Sequence, residues 1–194
     1  MNSRHKGITK DEIMEKALEL FLKRGYHGTS TAQICNSLRI SKPTLYWHFK
    51  NKQELVFYAH KNLMNSLQRP ILDKMEKCKD PLERIEIFIE EYVRVICENP
   101  VLRLLVQENP YLDAKNSKWI IKHWQVLLKL LRKSIKQLQD EDRAKKLQDS
   151  FAALNLIGMC TWPYYWFDYS RPEGIEGLIE NIKTTFFSGI LKHP

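Results

Sequence analysis

Residues 41–52 read SKPTLYWHFKNK, and folding stability alone does not account for them. Ser41 is a helix N-cap residue, and Pro43 costs little in a first turn whose N–H groups have no intrahelical partner. Lys42 is harder to justify, because a cation near a helix N-terminus opposes the macrodipole. Tyr46, Trp47 and His48 cannot share one core, since neighbouring helical residues point about 100° apart. Leu45 and Phe49, four apart, face inward, which leaves the three rings and the lysines outside. Such a helix makes sense only with a partner.

Working outward, the flanking residues build a compact helical head. Thr9-x-x-Glu12 is a capping box ahead of Ile13, Ala17, Leu20 and Phe21 on one stripe, and Gly25 ends that helix. Ser30-x-x-Gln33 opens a second, short helix with Ile34 and Leu38 inward. Asn51, with Glu54 three residues on, opens a fourth. Two short helices joined by a tight turn and backed by a longer first helix describe a helix-turn-helix unit, whose second helix enters the DNA major groove.

The remainder also reads as helix, with little period-2 alternation and no Asn-Gly or Asp-Gly hairpin turn. Pro70 interrupts or kinks the fourth helix. Asp80-Pro81 starts a helix toward Glu98, and Asn99-Pro100 repeats the device. The next helix spans Ser117 to Gln139 with Ile120, Ile121, Trp124, Leu127, Leu128 and Leu131 buried. Asp140 to Asp142 fall in the first turn of a helix carrying Phe151, Leu154, Ile157 and Cys160, and Pro172 opens the last. The expectation is an all-α protein of about nine helices, with a head at 1–52 and a larger bundle at 53–194.

The 194 residues are 43% hydrophobic and 28% charged, enough apolar mass for one sizeable core or two small ones. No run of roughly 18 apolar residues signals a membrane span, and MNSRHKGITKDE lacks a signal peptide's apolar centre. A cytoplasmic protein, bacterial or archaeal, is expected. Cys35, Cys78, Cys97 and Cys160 form no C-x-x-C pair and read as reduced, small apolar residues. The net charge of +8 is uneven. Residues 1–52 hold ten Lys/Arg against four acids, net +6, whereas the remaining 142 hold 21 against 19, net +2. A basic head suggests a polyanion, although a solvated basic face would have the same composition.

Chemistry in the head follows from placement. Lys42 reaches guanine O6/N7 or a phosphate, Thr44 serves either role, and Pro43 presents a rigid apolar surface suited to a thymine methyl. The phenol, indole and imidazole of Tyr46, Trp47 and His48 can donate to phosphates. Lys52 adds a cation at the start of the next helix, where backbone N–H groups already favour an anion.

Residues 10–56, with GYHGTSTAQI, SKPTLYWHF and KNKQEL, resemble the DNA-binding domain of the TetR family of bacterial transcriptional repressors. That resemblance implies that Lys42, Pro43, Thr44, Trp47 and His48 line the groove, while Thr31, Tyr46 and Lys52 hold phosphates. One departure stands out: the family's usual Gly-Val in the inter-helix turn is Arg39-Ile40 here. Arginine at positive φ costs on the order of 1 kcal/mol, so either the turn differs or Arg39 accepts the strain and gains a phosphate contact.

Beyond residue 56 there is no Gly-rich phosphate loop, no H-E-x-x-H, no G-x-S-x-G and no metal-ligand spacing. No cofactor is expected. The run TWPYYWFDY at 161–169 packs six aromatics around Pro163, and Phe88, Tyr92, Tyr111, Trp119 and Trp124 come from neighbouring helices. These rings, with Trp162, Tyr165 and Trp166, either fill the core and a dimer contact or wall a small-molecule pocket. The resemblance implies a C-terminal domain that binds an effector and dimerises through its last two long helices. A ligand-responsive repressor, acting as a homodimer on a palindromic double-stranded operator and released by an apolar or aromatic effector, is the expectation. The alternatives are an architectural DNA-binding protein without an effector and, more remotely, an enzyme using the aromatic pocket.

Overall fold

The computed structural model describes residues 7–99, 101, 112–166, 168 and 173–192, with only the backbone for Tyr164 and Trp166. Helices dominate: α1 (Lys10–Arg24), α2 (Thr31–Leu38), α3 (Lys42–His48), α4 (Lys52–Leu63), a π-helical turn (Met64–Gln68), α5 (Arg69–Lys77), α6 (Pro81–Glu98), α7 (Ala114–Asp140), α8 (Asp149–Thr161), the four-residue α9 (Pro163–Trp166) and α10 (Gly174–Ile190). Among the described residues the extended pairing is an isolated bridge between Ala144 and Leu191. The all-α expectation holds. Described residues up to Asn62, with Val101 and 112–117, form one compact unit, and those of 63–99 and from Lys118 onward form another.

In the first unit, both capping boxes are formed. Thr9 and Ser30 each accept the backbone N–H three residues on, while Glu12 and Gln33 return to the cap N–H groups. Gly25 at φ 74 ends α1. The core is Ile13, Ala17, Phe21, Tyr26, Ile34, Leu45, Phe49 and Leu55. The Tyr58 hydroxyl donates to Asp11 at 2.9 Å, and Asn62 donates to the same carboxylate at 3.2 Å, so α4 is tied to the start of α1.

Pro70 acts upstream of itself. It has no N–H to donate back along the helix, and the chain answers with the π turn, in which the Arg69 N–H reaches Met64 O. Gln68, buried in that turn, donates to His123 O at 3.2 Å. Arg84 is buried as well, its guanidinium donating to Met75 O, Cys78 O, Lys79 O and Ser134 Oγ. It thereby adds a second donor to Met75 O, which already accepts the Cys78 N–H at 3.3 Å, and satisfies the Cys78 and Lys79 carbonyls just beyond the end of α5.

Two sequence expectations change. Asp140 closes α7 rather than opening α8; Asp142 is left-handed at φ 59, the Arg143 N–H turns back to Leu138 O at 2.9 Å, and α8 starts only at Asp149. Arg143 instead reaches Asp80, the N-cap of α6, at 2.8 and 3.3 Å and holds that carboxyl below its ordinary value. Ile121 is 52% exposed, because its position falls outside the arc formed by Ile120, Leu127 and Leu131. Phe151 and Leu154 of α8 are also exposed, at 62% and 51%. The expected helix from Asn99-Pro100 and the opening at Pro172 lie outside the described residues.

Candidate nucleic-acid interface and effector region

The second half of the helix-turn-helix is α3. Ser41 Oγ accepts the Thr44 N–H at 3.2 Å and shares a 2.8 Å hydrogen bond with the Thr44 hydroxyl. That hydroxyl is therefore already engaged at the cap. Leu45 and Phe49 anchor the helix in the core, and the Phe49 N–H donates to Leu45 O at 2.9 Å. Lys42, Pro43, Tyr46 and Trp47 are exposed, and Thr44 and His48 half-buried. Trp47 is 82% exposed, its ring edge-on to His48 at 4.6 Å. A large apolar ring left outside a well-formed core is a surface waiting for a partner.

Thr31, Tyr46 and Lys52 line one small crevice between α2, α3 and the start of α4. Lys52 departs from its expected role. Its ammonium donates to Tyr26 O at 2.6 Å and Thr29 O at 2.9 Å, and lies 4.0 Å over the Tyr26 ring. Those carbonyls belong to the turn between α1 and α2, so Lys52 clamps that turn to α4. Arg39 has φ 55 and ψ 39, so it accepts the left-handed conformation and stays exposed. The buried Thr29 donates to Gly25 O at 2.9 Å beneath the same turn as Lys52.

The rings proposed for an effector pocket fall into separate groups. Phe88 and Tyr92 are buried and stacked at 5.0 Å, and Trp124 meets Tyr92 edge-on at 5.8 Å. The Tyr92 hydroxyl lies 3.4 Å from Thr161 Oγ1, and burial pushes the phenol up to about 12. Trp119 stacks on His123 at 3.6 Å, with His123 Nδ1 2.8 Å from Trp119 O. Trp162 and Tyr165 face outward, 5.5 Å apart. Tyr111 and the side chain of Trp166 lie outside the described residues. His60 is buried, its Nδ1 3.0 Å from Val56 O. No three His, Cys, Asp or Glu side chains cluster as metal ligands among the described residues, and no described helix is long and apolar enough to cross a membrane.

Two surface features carried weaker sequence signals. An open groove of about 400 Å³ between α8 and α10 is lined by Leu147, Phe151, Ala152, Met159, Phe186 and Gly189, among others. Lys183 of α10 pairs with Glu90 of α6, and Arg94 pairs with Glu176, closing the opposite side of α10.

Comparison with known proteins agrees with this architecture along the chain. The family model described as bacterial regulatory proteins, tetR family, matches residues 13–59, and that described as tetracyclin repressor-like, C-terminal domain, matches 78–190. The biofilm operon icaADBC HTH-type negative transcriptional regulator IcaR of Staphylococcus aureus (strain Newman) is 28% identical over 177 residues, covering 91% of this chain and 92% of its own. IcaR of Staphylococcus epidermidis is 28% identical over 180 residues, with the same coverage. Among solved structures, AibR in complex with isovaleryl coenzyme A and operator DNA superposes with a TM-score of 0.83 at 21% identity, over 91% of this chain and 96% of that one. The ketosteroid transcriptional regulator KstR2 of Mycobacterium tuberculosis gives 0.81 at 20% identity, over 100% and 97%.

Proposed function

The chain belongs to the TetR family of bacterial regulatory proteins, and on that premise we propose that it is a repressor binding a palindromic operator as a homodimer, released by a small apolar or aromatic effector. The observation that carries the DNA reading is α3 itself, anchored by Leu45 and Phe49 with Pro43, Tyr46 and Trp47 left outside. Helix α3 would lie in the major groove, with Lys42 and Pro43 on base edges and Tyr46 and Thr31 on phosphates. Repression is the direction taken from IcaR, a negative regulator similar to this chain along nearly its whole length.

Dimerisation rests on the exposed apolar residues of α8 and on the groove between α8 and α10. Phe151 and Leu154 are large and outward, and Gly189 has nothing within 4 Å of where a Cβ would stand. A second copy applying the same face buries those side chains and closes the groove, as an isologous two-fold contact requires. The Phe88–Tyr92–Trp124 cluster is the region proposed for the effector, because sites between helices are mostly apolar with a few polar groups. A ligand favouring a conformation with the wrong spacing of the two recognition helices would release the operator.

The test begins by selecting the preferred duplex from a random-sequence pool with the purified full chain. Anisotropy titrations of that duplex then run with and without a panel of aromatic and lipophilic compounds. A palindromic consensus, together with release by at least one compound, is expected. A consensus without dyad symmetry overturns the dimeric reading, and insensitivity across the panel overturns the effector.

A further inference from the structure

Helix α7 has a second face that the regulator reading leaves unused. Its sequence, AKNSKWIIKHWQVLLKLLRKSIKQLQD, holds seven cations and one acid, Asp140 at its last position. The cations are not scattered around the helix. At 100° per residue, Lys118, Lys122, Lys129 and Lys133 fall within an arc of about 60°. Ile120, Leu127, Leu131 and Leu138 lie on the opposite side and are buried. All four lysines are exposed, and among the described residues none makes an ion pair, whereas Arg132 meets Asp149 at 3.1 Å and Lys136 meets Asp140 at 2.8 Å. From Lys118 to Lys133 the row runs about 22 Å. Holding four unpaired like charges in one row is unfavourable unless an opposite charge arrives.

We infer that the outer face of α7 is a second, sequence-independent binding surface for the phosphate backbone of duplex nucleic acid. The chemistry of the row separates the candidate polyanions. An anionic bilayer would want a broad apolar face to insert beside the cations, and α7 offers only Ile121 and Val126 outside, its other large apolar side chains being buried or half-buried against the protein core. An acidic protein partner would want aromatic or arginine anchors, with lysine depleted from the contact; this row is lysine, with Gln125 and Val126 exposed between. Duplex DNA carries a charge about every 1.7 Å of its axis and accepts lysine as a point charge wherever it falls. The surface contributes affinity and no base discrimination, so it holds DNA beside the operator or a second duplex.

The experiment uses the full chain and a random-sequence 60-base-pair duplex. Binding is measured by anisotropy between 50 and 200 mM NaCl for the wild type and for the quadruple variant Lys118→Gln, Lys122→Gln, Lys129→Gln, Lys133→Gln. A charge-matched control carries Lys74→Gln, Lys77→Gln, Lys79→Gln and Lys146→Gln. The α7 variant should lose about 10-fold or more in affinity at low salt and about two to four units of salt slope, with the control near wild type. Discrimination between the selected operator and random duplex reports the head and should keep its base preferences, so failure of the operator reading is scored separately. In the unmodified protein, duplex should protect the four lysines from acetylation, read by mass spectrometry. Equal losses in variant and control show that net charge alone acts, and overturn the inference. So do absent protection with an unchanged slope, and binding to phosphatidylglycerol vesicles but not to duplex.

Discussion

Arg39 and Lys52 separate what a residue does for the fold from what it does for a partner. Arg39 sits at φ 55, where a residue with a Cβ is strained by about 1–2 kcal/mol and glycine is not. Arg39→Gly should therefore raise the melting temperature, by about 1 kcal/mol of added stability at the transition. If the guanidinium holds a phosphate, the same change lowers the operator salt slope by about one unit. Added stability with an unchanged slope would leave Arg39 a tolerated strain and nothing more. Lys52 runs the other way. Its two carbonyl hydrogen bonds are charge-assisted, so Lys52→Ala should destabilise the head by about 1–3 kcal/mol. Measured well below the melting transition, its salt slope should stay within a few tenths of wild type; a fall of about one unit would return Lys52 to the phosphates. The spacing of residues marked Lys52 as important but not as a clamp, because the carbonyls it holds are 26 and 23 positions away. Nothing local in the sequence announces such a partner. The inward pair Leu45 and Phe49 was legible because their partners are set by helix geometry alone.

At the scale of helices, caps were readable and faces less so. Thr9, Ser30, Ser41, Asn51 and Asp80 all cap where residue type and spacing place them, since an N-cap needs only a side-chain oxygen and the next turn. The run around Asp140–Asp142 misled, because acids favour a first turn as well as a left-handed C-terminal exit, and Asp142 takes the second. The apolar residues of α8 carry no such local signal of their facing. Phe151 and Leu154 share the apolar chemistry of Ala153 and Leu156, and only the fold distinguishes the face turned to solvent from the face turned to α6 and α10. The aromatic residues were likewise visible as a set, but hydrophobic identity does not say that Phe88, Tyr92 and Trp124 meet while Trp162 and Tyr165 turn outward. The exposed α8 face carries its own prediction. Phe151→Glu with Leu154→Glu places four like charges across the proposed two-fold contact and should convert the proposed dimer to monomer in sedimentation velocity at micromolar concentration. The far-UV circular dichroism should be unchanged, because neither side chain is in the core of its own chain. A dimer that survives both substitutions would place the two-fold elsewhere.

At the scale of the molecule, one seven-residue helix cannot supply much specificity, and the proposed function has two copies reading together. Two recognition helices enter successive major grooves only when their half-sites lie about 34–36 Å apart, one helical turn of DNA. That constraint makes the spacing of the operator a property of the protein. Inserting five base pairs at the dyad of the selected operator keeps every base contact available but rotates one half-site by half a turn. Affinity in anisotropy should then fall toward that of random duplex, a loss of about 10³-fold or more. Inserting ten base pairs restores the rotational phase but adds about 34 Å, which a rigid dimer cannot span, so it should fail as well. Any binding left with either altered duplex should be sequence-independent and steeply salt-dependent, the behaviour assigned to the lysine row of α7. A protein whose affinity ignored both insertions would be reading half-sites as a monomer, and the two-fold arrangement would have to be given up.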